Sequence, residues 1–210
     1  MNIVLIGIQG CGKGTLVAGL EKYYDFDLVS VGQLLRDEVA TGSELGKTIN
    51  SYIANGLLVP TEIVRDAIDQ KLKTSQKEIM IFDGFPRNTE QAVILDSITN
   101  VDLVLHLSLD KEIAIQRIVN RLTCKQCAYI TRRMDVTDMV CPKCGGELAQ
   151  RADDVEESVK KRLELYEKET YPLLDRYRAR GVVADIEANR EAKEVLDSVL
   201  KVINEYYNKK

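Results

Sequence analysis

The chain has 210 residues, 45% of them apolar, with 29 Lys and Arg against 33 Asp and Glu and a formal net charge of -4. That length buries about 70% of the surface it exposes when unfolded, enough for one globular core with small insertions. The acidic balance argues against a general nucleic-acid or anionic-membrane binder, since both reward a basic surface through counterion release. No run approaches about 18 apolar residues, and "MNIVLIG" is too short and lacks the basic flank of a secretory signal, so the expected setting is cytoplasmic, without a membrane partner and with a monomer as the default.

In chain order, the runs "NIVLIG", "DLVSV", "EIMIFDG", "VDLVLHLSL" and "VVADIEA" are predicted strands, separated by stretches of helical period. Near-continuous apolar strands suit a parallel sheet covered on both faces, and right-handed crossovers make it doubly wound, so the expected class is α/β with five parallel strands. Two excursions interrupt the alternation. Residues 30–59 have a helical pattern with "TGSELG" and "NGLLVP" as punctuation, and residues 122–150 hold four paired cysteines and few large apolar side chains. The expected organisation is a core of 1–29, 60–121 and 151–210 with these two flaps inserted. A final helix over 191–207 repeats Val195, Val199, Val202, Ile203 and Tyr206 at helical spacing, a face for the sheet.

Between the first strand and the first helix lies "GIQGCGKGT", residues 7–15. A glycine-rich turn there leaves successive backbone N–H groups facing one concavity, and the helix adds the positive end of its dipole, which suits a polyphosphate. Gly7, Gly12 and Lys13 fit the phosphate-loop spacing, whereas Gly14 stands where a hydroxyl residue is usual and Thr15 follows one position late. Cys11 reads either as a small residue filling the loop or as a thiol activated by the helix end, and filler is preferred. The strand "IMIFDGFPR" ends in Asp83, either facing the metal-bound phosphates at the carboxyl edge of the sheet or capping the next turn.

Arg117 and Arg121 fall four apart on a helix expected to begin near Asp110, which puts both guanidinium groups on one face. Arg151 and Arg162 flank the exit from the cysteine segment. Asp154 and Glu157 form a capping-box pattern, so a helix should start there, carrying Arg162 on its first turns, with Val159, Leu163 and Tyr166 toward the core and Arg162 elsewhere. Cys124-x2-Cys127, thirteen residues and Cys141-x2-Cys144 offer four thiolates in closed tetrahedral zinc geometry, with iron or two disulfides as alternatives. His106, mid-strand, reads as a core residue.

Together "GIQGCGKGT", "FDGFPRNTEQA" and "QRADD" resemble the nucleoside monophosphate kinases, most closely the long-form adenylate kinases with a zinc-bearing lid, over nearly the whole chain and in the right order. The resemblance implies a P-loop NTPase-type fold and reversible phosphoryl transfer from Mg-ATP to AMP, giving two ADP. It assigns the donor and its Mg2+ to Gly10, Cys11, Gly12, Lys13, Gly14, Thr15, Asp83, Arg117, Arg121, Tyr129 and Arg190. It assigns AMP to Val31, Arg36, Leu57, Val59, Gly84, Arg87, Gln91, Arg151 and Arg162, and catalysis to Lys13, Arg87, Arg121, Arg151 and Arg162. Structural Zn2+ would be held by Cys124, Cys127, Cys141 and Cys144.

The chain departs from the family pattern at Gln9, where proline is usual, at Val31 and Gln33 in place of the threonine and aspartate of "TGD", and at Ala128 and Ala188 in place of glycines. A loosened choice of nucleobase is therefore expected, with UMP, CMP or GMP as alternative acceptors. From a different class, a zinc-ribbon nucleic-acid-dependent P-loop ATPase would require basic residues interleaved with aromatics, which the sequence lacks.

Overall fold

The computed structural model describes residues 1–207, side chains at 66, 67, 70, 71 and 74 excepted. The elements run β1 (Asn2–Gly7), α1 (Lys13–Leu20), β2 (Phe26–Ser30), α2 (Val31–Ala40), α3 (Glu44–Ile53), α4 (Thr61–Thr74), β3 (Ile79–Asp83), α5 (Thr89–Ile98), β4 (Leu103–Ser108) and α6 (Lys111–Val119). Then follow β5 (Arg121–Cys124), β6 (Ile130–Arg132), β7 (Leu148–Ala149), α7 (Glu156–Leu165), a π-helical turn (Tyr166–Thr170), α8 (Leu173–Arg178), β8 (Val183–Glu187) and α9 (Ala192–Tyr207).

The main sheet is five-stranded and parallel, in the order β2-β3-β1-β4-β8, as the alternation of strand and helix signals implies. Its central strands are buried on both faces, with Ile3, Val4, Leu5 and Ile6 beside Leu103, Val104, Leu105 and Leu107. Each such side chain contributes roughly 1.5 to 3 kcal/mol of burial, which explains why these strands carry no alternation of polar residues. On the flank, α9 buries Val195, Val199 and Ile203, and the Tyr206 hydroxyl donates to Asp102 at 2.9 Å. Because β1 lies between β3 and β4 and all five strands point the same way, the segments after Gly7 and Asp83 emerge side by side at one carboxyl edge.

The first excursion folds as α2 and α3. In the second, β5 pairs with β6 and β7 in a small antiparallel sheet whose core is Leu122, Cys124, Cys141 and Leu148.

Two local expectations are corrected. Helix α6 ends at Val119, so Arg121 does not share its face with Arg117: it opens β5, opposite Arg132, where ladder pairing displaces the helix. Nor does Asp154 cap a helix. The residue preceding α7 is Val155, with no side-chain cap, because Asp154 is drawn inward by two arginines. Arg162 lies in the last turn of α7 and not on its first turns, because the helix ends at Leu165 where the π-helical turn begins.

Candidate active site

The loop between β1 and α1 turns twice through backbone conformations that favour glycine, at Gly10 (φ 85°) and Gly12 (φ 100°). A Cβ on Gly10 would also sit 2.8 Å from the Ala114 carbonyl oxygen. Lys13 Nζ folds across the loop and donates to the carbonyls of Gly7 at 2.7 Å and Ile8 at 3.4 Å. Cys11 is buried, and its Sγ occupies the space above Gly7, where an added Cβ would meet it at 2.6 Å. It fills space in the loop, and Lys13 Nζ lies 3.5 Å from its Sγ. Thr15 is exposed on the first turn of α1, and Ile130 Cδ1 lies 3.6 Å from where a side chain on Gly14 would begin, so the cysteine-bearing sheet covers the loop.

Asp83 ends β3 next to this loop, and its negative charge acts on both Arg36 and Arg87. Arg87 Nε donates to the Gly84 carbonyl at 2.8 Å, and a side chain on Gly84 would meet Arg87 Nη2 at 2.9 Å. The backbone N–H of Arg87 donates to Gln91 Oε1 at 2.8 Å. From the first excursion, Arg36 comes in with Nη2 on Gln33 Oε1 at 3.1 Å.

At the base of the cysteine segment, Arg151 Nε donates to Thr123 Oγ1 at 3.1 Å. Arg121 grips Asp154 with Nε at 2.8 Å and Nη2 at 2.5 Å. Arg162 Nη2 reaches Asp154 Oδ1, the oxygen that also accepts from Arg121 Nη2, at 3.2 Å, and Arg162 pairs with Asp153 at 2.9 Å.

The arginines perceive one another. Burial lowers the Arg151 pKa to about 10, with the charges of Arg121 and Arg36 pressing in the same direction. Burial also lowers Arg36 and Arg87, and the nearby Arg121 and Arg162 respectively add to the effect. These guanidinium groups, brought in by β5, α2, α7, the β3–α5 loop and the segment between β7 and α7, press on one another, with Asp83, Asp153 and Asp154 offsetting part of the repulsion. Such a cluster is complementary to a polyanion, and the planar fork of each guanidinium suits phosphate oxygens.

Other candidates lie outside this cluster. Both Nη atoms of Arg117 donate to the Ala188 carbonyl at 3.3 Å, and Arg190 Nε donates to the Glu187 carbonyl at 3.3 Å, so each is tied to the backbone at the end of β8. Tyr129 is exposed on the turn between β5 and β6. Val31 and Val59 are buried in the main core, whereas Leu57 is half exposed. His106 is buried as expected but bonded, with Nδ1 2.6 Å from Asp185 Oδ1.

Cys124, Cys127, Cys141 and Cys144 bring their sulfur atoms within 4.8 Å of one another. The separations of 3.5 Å for Cys124–Cys144 and 3.7 Å for Cys127–Cys141 are close to the ~3.8 Å edge of a tetrahedron with metal–sulfur bonds of about 2.3 Å. Backbone N–H groups of Cys127 and Gln126 bring the Cys124 thiol down to about 6 against the opposing effect of burial, whereas Cys144, despite the Gly146 N–H, is pushed up by its hydrogen bonds with Cys127 and Cys124, so the four sulfur atoms share their protons unequally.

Sequence reasoning did not identify Asp153, Thr123 or the role of Asp154. The "RADD" run was visible, but an aspartate ahead of a helix reads as a cap unless the arginines that converge on it are known.

A family model described as adenylate kinase matches residues 5–182. The chain belongs to the adenylate kinase family. It is 38% identical to the adenylate kinase of Caldanaerobacter subterraneus subsp. tengcongensis, over 97% of this chain and 96% of that protein. It is also 38% identical to the adenylate kinase of Caldicellulosiruptor bescii, over 97% and 99%, and 35% identical to that of Clostridioides difficile, over 97% and 98%. Among the described residues, no helix of this family member is long and apolar enough to cross a membrane.

Proposed function

We propose that this adenylate kinase family member transfers the γ-phosphoryl group of Mg-ATP reversibly to AMP, giving two ADP. The observation that carries the reading is the convergence of Arg36, Arg87, Arg121, Arg151 and Arg162, from separate elements, beside the glycine loop and Asp83. A single triphosphate on the loop does not call for so many cations, whereas two nucleotides meeting phosphate to phosphate do.

The loop amides from Gly10 to Thr15 and Lys13 cradle the donor phosphates, with Lys13 exchanging its carbonyl partners for phosphate oxygens. Arg36 and Arg87 seat the acceptor monophosphate. An oxygen of that phosphate attacks the γ-phosphorus as the bond to the β–γ bridging oxygen breaks, and the departing ADP takes the electron pair. No general base is needed, because the acceptor is already largely ionised near neutral pH. Lys13, Arg121, Arg151 and Arg162 stabilise charge on the transferring group. Asp153 and Asp154 hold Arg162 and Arg121 in place.

Asp83 and Thr15 offer the hard oxygen donors that Mg2+ prefers, and the bound ion supplies charge neutralisation of the donor phosphates. The four cysteines fit structural Zn2+, with the two close sulfur pairs supporting tetrahedral ligation over disulfides. Residues 30–59 close over AMP and residues 122–150 over ATP, keeping out water, which would otherwise compete as acceptor.

The test is a coupled assay of ADP formation from ATP with AMP, UMP, CMP or GMP, each with and without nucleic acid. AMP-dependent ADP formation is expected. ATP hydrolysis without an acceptor, stimulated by DNA or RNA, would replace this reading with that of a nucleic-acid-dependent ATPase.

A further inference from the structure

Helix α7 does not run straight into α8. Residues 166–170 form a π-helical turn, closed by the Tyr171 N–H donating to the Tyr166 carbonyl at 2.8 Å. Such turns are rare and recur where a helix is adjusted to a functional contact. Its first and last residues both face inward, Tyr166 being 8% and Thr170 9% exposed.

Each is anchored by its hydroxyl. The Tyr166 hydroxyl meets His106 Nε2 at 3.4 Å, and His106 is fixed on the central strand β4 through Asp185. Thr170 Oγ1 donates to the backbone carbonyl of Arg87 at 2.7 Å, across 83 residues of sequence. The same peptide segment is held from the other side, where the Arg87 N–H donates to Gln91 Oε1 at 2.8 Å. Arg162, on the opposite bank of the phosphate site, lies four residues before Tyr166 on the same continuous helical segment. Arg162 is close enough to oppose the charge of Arg87, while Asp83 and Asp153 offset that repulsion, so charge alone does not fix the spacing of the two arginines.

We propose that the π-helical turn is a strut that sets the spacing between Arg162 and Arg87, with Thr170 as the positioning residue for Arg87 and the Tyr166–His106 contact as its footing. The inference rests on the proposed transfer to AMP. Thr170 touches no reacting atom: it fixes the backbone from which the acceptor arginine extends. Its loss therefore acts on the AMP side of the reaction more than on the ATP side.

The experiment compares Thr170→Val and Thr170→Ser with wild type, measuring kcat and KM for each substrate together with the melting temperature. Thr170→Val keeps the shape and removes the hydroxyl. Its kcat/KM for AMP is expected to fall between about tenfold and 10²-fold, the loss that small misplacements of a substrate-positioning group produce. KM for ATP should stay within about twofold, and Thr170→Ser should recover most of the loss. Tyr166→Phe, which keeps the ring, should shift the AMP parameter in the same direction and serves if Thr170→Val fails to fold. Equal losses for both substrates, or a lowered melting temperature with unchanged AMP kinetics, would show Thr170 to be merely structural and overturn the strut while leaving the proposed function intact. A wild-type protein that makes no ADP from ATP and AMP overturns both.

Discussion

Replacing Asp154 with asparagine removes a negative charge shared by two guanidinium groups while conserving side-chain volume. Asp154 is 1% exposed, and the Arg121 and Arg162 side chains are 16% and 12% exposed, so solvent compensates little. Removing one partner of a buried ion pair costs about 3 to 5 kcal/mol, chiefly because the remaining charge is left without a counterion. Asparagine still offers a carbonyl oxygen, and Asp153 still pairs with Arg162 at 2.9 Å, so the lower part of that range is expected. For a chain of this size each kcal/mol moves the melting temperature by roughly 2 to 4 °C, which puts the expected fall at about 6 to 12 °C.

A second signature separates this from ordinary core damage. The proposed site brings phosphates to the same two arginines, so a bisubstrate mimic of two adenosines joined by a phosphate chain should restore part of what Asp154 supplied. Scanning calorimetry with and without the mimic should show a larger ligand-induced rise in Asp154→Asn than in wild type. A melting temperature within about 2 °C of wild type would refute the burial reasoning. Equal ligand shifts in the two proteins would refute the view that the carboxylate and the phosphates act on the same cations.

Lys13→Met should leave the melting temperature nearly unchanged and lower kcat by about 10² or more, read in the coupled transfer assay. Elemental analysis should find one zinc per chain, and a chelator or Cys141→Ser should lower the melting temperature and increase proteolysis within 122–150, because a core of Leu122, Cys124, Cys141 and Leu148 is too small to hold that segment alone. Affinity for the bisubstrate mimic should be flat from about pH 7 to 9 and fall as pH rises through about 10. Burial depresses Arg151 to that value in the free protein, and a bound phosphate favours its charged form, so binding takes up protons there and weakens as they become scarce. Calorimetry in buffers of different ionisation heat would detect the uptake, which Arg151→Met should diminish.

The sequence by itself determined the α/β alternation, because near-continuous apolar runs such as "NIVLIG" and "VDLVLHLSL" have no stable place except between two layers of helix. It also determined the glycine loop, whose turns at Gly10 and Gly12 need positive φ, and the four-cysteine cluster, whose spacing already implies two knuckles facing one another. These are local properties, set by residues near one another in the chain. Only the tertiary structure decided what depends on distant segments meeting. Arg121 belongs to a strand because residue 132 pairs with it, and Asp154 turns from a helix cap into a counterion because Arg121 and Arg162 arrive from separate elements, β5 and α7. The bond from Thr170 to Arg87 spans 83 residues, a contact that no periodicity or motif spacing encodes.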